Sequence, residues 1–166
     1  MAILTIRHHV AEALRFYNAA DMFVGIGHTT PWPNDSSPPA PMDTVEALVE
    51  PIGYKPVSTR KLLIPDEAGL FPWAGQNWTE VLEVDARDEK AIYVYIESRM
   101  EYDELPLVSY REVGIFTGLV KAGGAGSGAL LPGEVTDPGD LEYLDYRQPE
   151  PRAIDKVDTI GVILRF

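Results

Sequence analysis

The chain contains no cysteine. That absence removes disulfides, thiolate nucleophiles and cysteine-held zinc together, and it fits synthesis in a reducing cytosol. Positive charge is scarce: 14 Lys and Arg stand against 26 Asp and Glu, a formal charge of −12. A surface of that sign repels phosphate backbones and anionic headgroups, so neither nucleic acid nor a lipid surface is an expected partner. No apolar run approaches membrane-spanning length, and no membrane insertion is expected. The opening segment MAILTIRHHVAEAL is too short in its apolar part for a signal peptide and has no small-residue cleavage site. Histidine is confined to His8, His9 and His28. The first two are adjacent and fall on different faces of any regular element, and no carboxylate stands at ligand-like spacing from the third. No metal and no cofactor is expected.

What the chain does have is turn chemistry. At 166 residues it has the length of one ordinary domain, residues 1–166, with 45% hydrophobic and 24% charged residues as in a globular protein. Fourteen Pro and fourteen Gly favour many turns and short strands over long helices. Spacing predicts a short amphipathic helix over His9–Ala20, with Val10, Ala13, Leu14 and Tyr17 on one stripe. A second is predicted over Asp43–Val49, capped by Asp43 and ended by Pro51. Alternation predicts strands over Met22–Ile26, Val57–Ile64, Thr79–Val84, Ala91–Ser98, Leu107–Thr117, Leu141–Tyr146 and Thr159–Phe166. Both faces of Ala91–Ser98 are apolar, which predicts a strand covered on both sides. The fold class expected is mainly β, an antiparallel β-sandwich or barrel-like sheet with one or two short N-terminal helices.

Two loops stand out. The segment FVGIGHTTPWPNDSSPPAP begins as a buried strand and breaks into a proline-rich loop, residues 29–42. Pro31, Pro33, Pro38, Pro39 and Pro41 each fix φ and lack an amide donor, so the loop is stiff and extended. A preorganised loop loses little entropy on docking, which suits contact with another protein. The glycine-rich region 121–139, KAGGAGSGALLPGEVTDPG, reads as a mobile excursion. Its GGAGSG lacks the Lys-Ser/Thr of a phosphate loop, and no helix pattern follows.

Catalytic readings fare no better. Carboxylate pairs such as Asp85 with Asp88 abound, as they must in so acidic a chain, and none is singled out. There is no nucleophile elbow and no serine with an evident histidine partner, so no catalytic residue and no enzymatic activity are expected. Trp32, Trp73 and Trp78 lie in Pro- or Gly-bearing loop sequence, where they serve equally as interface anchors, sugar platforms or caps on the core.

The ordered set of ALRFYNAAD, FVGIGHTTPWPNDSSPPAPMDTV, YREVGIFTG and YRQPEPRAIDKVDTIGVILRF resembles the baseplate wedge subunit of T-even-type contractile phage tails, the gene product eight family. The match covers both ends and the central strands. The family subunit is longer and carries an insertion after the first proline loop, so this chain resembles a compact version. The resemblance implies a non-enzymatic virion structural protein of the tail baseplate, assembled in the host cytoplasm. It also implies a homodimer that contacts other baseplate wedge proteins and tail-fibre proteins. The matching residues are Phe16, Tyr17, Asn18, Gly27, Pro31, Trp32, Tyr110, Arg111, Arg147 and Pro149, fold-defining first and interface candidates second. With Pro33, Trp73 and Trp78, the later members of that set are the interface candidates. Two rivals stand beside this reading: a glycan-binding module of a phage tail, and a small carboxylate-dependent hydrolase.

Overall fold

A computed structural model describes residues 2–166. The chain is mainly β. One α-helix, α1 (Ile6–Tyr17), precedes eleven strands: β1 (Phe23–Gly27), β2 (Gly53–Pro56), β3 (Thr59–Pro65), β4 (Phe71–Trp73), β5 (Gln76–Val81), β6 (Tyr93–Met100), β7 (Ser109–Thr117), β8 (Val120–Lys121), β9 (Val135–Asp137), β10 (Asp140–Pro151) and β11 (Asp158–Arg165). One sheet has the order β10-β7-β1-β2, a second the order β11-β6-β3-β5-β4, and β8 pairs with β9. The chain divides into two compact units. One comprises Met1–Ala19, Ser58–Glu97 and Gly161–Phe166, the other Ala20–Val57 and Ser98–Ile160.

The first unit is built on α1 and the strands around β3. The helix starts at Ile6 and stops at Tyr17, about one turn ahead of the expected span at each end. Its buried stripe is Val10, Ala13 and Phe16, and the Phe16 ring lies 5.1 Å from that of Phe166. Arg60 secures the helix end by donating from Nη1 to the carbonyls of Tyr17 and Ala19. The core beside the sheet is Leu63, Trp78 and Tyr95, with Phe71, Trp73 and Tyr93 packed against it. Gly161 makes room for Trp73: a Cβ there would come within 2.6 Å of the indole.

The second unit is organised by the antiparallel trio β10-β7-β1. Strand β7 is buried along almost its whole length, so no burial alternation shows; beside its apolar run Val113, Ile115 and Phe116 it carries two buried charged side chains, Arg111 and Glu112. Gly25 and Gly114 stand opposite each other in the β1–β7 pairing. Phe116, Leu48 and Tyr54 fill the hollow those two glycines leave, and a Cβ on Gly25 would meet Phe116 at 2.9 Å. Side-chain absence at two facing positions thus admits a bulky core plug.

Several expectations need correction. Asp43–Val49 is not a helix but a run of turns and bends. Pro41 and Pro51 bracket too few residues to pay for helix nucleation, and the backbone is bonded sideways: the Val49 amide donates to Glu112 and its carbonyl accepts from His28. The expected strand Val57–Ile64 is β3, which starts two residues later at Thr59; β2, just before that span, was not expected and pairs in the other sheet. Thr79–Val84 ends early as β5, and Glu83–Asp85 forms a one-turn 3-10 helix. Leu141–Tyr146 is the first half of a longer strand, β10. The glycine-rich region is tethered rather than free. Strands β8 and β9 pair across it, Leu130 bridges to Tyr54, and Leu130 is fully buried with Phe23, Phe116 and Leu119.

Candidate docking site

The proline loop leaves β1 at His28, which takes a left-handed backbone, φ 60°. That conformation is uncommon for a residue with a side chain. It is held by the His28 amide, which donates to the Val49 carbonyl at 2.7 Å, and by ring Nδ1, which donates to the Thr30 carbonyl at 2.7 Å. Glu50 gathers the next two residues. Its carboxylate accepts from the amides and hydroxyls of both Thr29 and Thr30 at 2.8–2.9 Å. Those hydrogen bonds, the Thr30 amide first, hold its pKa down to about 2.

Asp35 closes the loop on itself and on the sheet. Its Oδ1 accepts from the Trp32 amide, and its two oxygens take a two-point bond from Arg111 of β7, Nε at 2.8 Å and Nη2 at 2.9 Å. Arg111 also donates from Nη1 to the Thr29 carbonyl at 2.8 Å. The planar fork therefore binds both ends of the segment 29–35. The Arg111 hydrogen bond holds the Asp35 carboxyl below its usual range, and Asp35 in turn raises Arg111.

Trp32 folds back onto its own unit. Its Nε1 donates to the Arg147 carbonyl at 2.8 Å, and its ring centroid lies 3.7 Å from that of His28 and 4.9 Å from that of Tyr146. The acceptor is available because the β10–β7 register breaks between Tyr146 and Glu150. Pro149 lies inside that irregularity, where its missing amide costs the ladder nothing. The Arg147 side chain binds Asp145 at 2.7 Å and Glu150 at 3.3 Å, and the Tyr110 hydroxyl donates to Glu150 at 3.0 Å. Burial first, then the Glu150 carboxylate, pushes the Tyr110 phenol up.

Three distant segments of candidate residues thus meet in one place: Pro31, Trp32 and Pro33; Tyr110 and Arg111; Arg147 and Pro149. Tyr110 and Arg111 are buried, 1% and 6% exposed; Arg111 holds the loop from beneath, while Tyr110 is tied to Glu150 of β10. Pro31 and Pro33 are exposed and form its outer edge. Trp73 and Trp78 belong to the other unit, where Trp78 is buried and Trp73 packs against Tyr95 with centroids 4.9 Å apart.

Sequence reasoning missed the residues that close the clamp. Asp35 sits in a Pro-Asn-Asp turn signal, and that signal could have marked it. Glu50 and Glu112 carried no signal, because their partners are 20 or more residues away. Glu112 is fully buried; its Oε2 accepts from the Val49 amide at 2.7 Å, while Oε1 has no hydrogen-bond partner among the described residues. Burial raises its pKa.

Comparison with known proteins agrees with the baseplate-wedge resemblance. A family model described as "Baseplate wedge 3 tail fiber network component" matches residues 1–166. Virion protein 3 of Enterococcus phage phiEF24C is 38% identical over 164 residues, covering 95% of this chain and 91% of that protein.

Proposed function

The chain belongs to the baseplate wedge 3 tail fibre network family, virion structural proteins of the phage tail baseplate, and from that premise we propose that it works without catalysis, binding copies of itself and neighbouring baseplate or tail-fibre proteins. The observation that carries this reading is the clamped proline loop. Arg111, Asp35, Glu50 and the Trp32 indole hold residues 29–35 from the inside, while Pro31 and Pro33 are left at the surface. A loop fixed in advance gives up little conformational freedom when a partner covers it. The Arg111, Asp35 and Glu50 groups that clamp the loop are spent on it and on one another, which serves rigidity.

The test combines sedimentation with co-purification from infected cells. Wild-type chain is expected to sediment as a dimer and to co-purify with other tail proteins. Pro31→Ser with Pro33→Ser should weaken that association without lowering the melting temperature. A chain that stays monomeric and recovers no tail protein overturns the proposal. So does glycan binding lost on Trp32→Ala, or turnover of a glycan or peptide abolished by one carboxylate substitution.

A further inference from the structure

Cations are few here, and almost all are spent. Among the described residues every Lys and Arg except Arg7, Arg87 and Lys90 is engaged, by a carboxylate, a backbone carbonyl or, for Arg165, the Tyr93 ring. The three exceptions line one hollow of about 370 Å³ in the first unit, together with Ile6, Val10 and Asp88. In a chain of net charge −12, the three unmatched cations are thus gathered around one hollow.

The frame of the hollow is rigid. Ile6 and Val10 are one turn apart on α1 and supply an apolar floor. Arg87, Asp88 and Lys90 lie in the turns after the 3-10 helix. That segment is pinned by the fully buried Ala86 and Ala91, by the Asp88 and Glu89 amides on the Asp85 carbonyl, and by the Ala91 amide on the Ala86 carbonyl. Lys90 is held at φ 55°, a left-handed backbone that a side chain rarely adopts.

We propose that this hollow docks an acidic, partly apolar peptide segment of a neighbouring tail protein. The proposal rests on the structural role given above. Charge complementarity selects the chemistry: carboxylates meet Arg7, Arg87 and Lys90 while an apolar side chain covers Ile6 and Val10. A second copy of the chain is a poorer occupant, because a patch at a two-fold axis faces itself and would set three cations against three. Nucleic acid is disfavoured by the acidic surround. All three cations are exposed, so the attraction is screened and binding weakens with salt.

The test uses full-length chain and a fluorescent peptide of alternating Glu and Leu, titrated by anisotropy at low salt. Arg87→Glu with Lys90→Glu is expected to weaken binding at least about tenfold, Asp88→Asn to tighten it, and Arg99→Glu, outside the hollow, to leave it unchanged. Equal binding by wild type and the double variant overturns the proposal. So does tighter binding of a Lys-Leu peptide or of single-stranded DNA, or a dimer that dissociates in the double variant. An assembly arm separates the two readings. If the double variant enters baseplates as well as wild type, the docking inference fails and the structural role stands. If wild-type chain fails to co-purify with tail proteins, the structural role fails, and the peptide titration still reads the hollow.

Discussion

Arg111 and Asp35, 76 residues apart in sequence, meet through two parallel hydrogen bonds of 2.8 and 2.9 Å that pin the proline loop to the central strand β7. The arginine side chain is 7% exposed and the aspartate 35%, so the pair sits at the seam between sheet and solvent. There the fork can hold geometry without the full desolvation cost of a buried ion pair. It orders the loop more than it stabilises the fold.

Arg111→Lys therefore keeps the charge and loses the fork. Hydrogen exchange of the amides of residues 29–37 should accelerate by roughly tenfold, because the Trp32 amide and the Thr29 carbonyl lose their common anchor. Exchange in β1 and β7 should stay close to wild type. Unchanged exchange in the loop would mean that Trp32 and Glu50 suffice to hold it.

Glu50 gives the loop an acid sensitivity of known sign. Its folded pKa of about 2 lies below the ordinary 4.5, so the carboxylate contributes stability that is fully present above 4.5 and lost as pH falls through 2. Glu50→Gln should lower the melting temperature above about pH 5 and converge on wild type near pH 2. A difference that stays constant across that range would show that the four hydrogen bonds do not depend on the charge.

Glu112 acts in the opposite sense. Its folded pKa is raised by burial, so the unfolded chain ionises first and stability falls as pH rises from 4.5 through the folded value. Glu112→Gln keeps an oxygen for the Val49 amide and removes the buried charge. We expect the variant to melt above wild type at pH 7, by about 2–4 °C, and to match it at pH 4. His28 and Glu50 both face this carboxyl electrostatically, so Glu50→Gln should bring the Glu112 pKa down slightly.

Leu130 separates the anchored from the dispensable part of the glycine-rich region. It is fully buried against Tyr54, Phe116 and Leu119, so Leu130→Ala should cost about 2–5 kcal/mol in denaturant unfolding. Removing Gly126 to Gly128 should cost far less, since a Cβ on either glycine meets nothing closer than 4.0 Å. Equal losses from the two changes would show that loop length, not Leu130, sets the stability of this region.

The readable part of the fold was what period and punctuation carry. Ile92, Val94 and Ile96 alternate, and β6 is there; Val10 and Ala13 keep helical spacing, and α1 is there. Strand β4 was not legible, because Pro72 lies in a three-residue edge strand with no room for alternation to show. The failed helix at Asp43–Val49 had a correct cap and a correct spacing. It lost to tertiary demands: Leu48 goes into the core and the Val49 amide goes to Glu112.

By itself the sequence determined the class, the absence of cysteine chemistry, the stiffness of the loop and the ordered motifs of the baseplate family. These follow from residue type and local spacing: proline fixes φ wherever it stands, and charge counts do not depend on the fold. Only the tertiary structure decided what the loop does with its Trp. The partners of Trp32 are the carbonyl of Arg147 and the ring of Tyr146, more than a hundred residues on, and a freed acceptor in a broken register has no signature in sequence. The same is true of the cationic hollow. Any sequence shows where Arg7, Arg87 and Lys90 stand in the chain, but which cations remain unpaired is settled when every other one has found its partner in the folded protein.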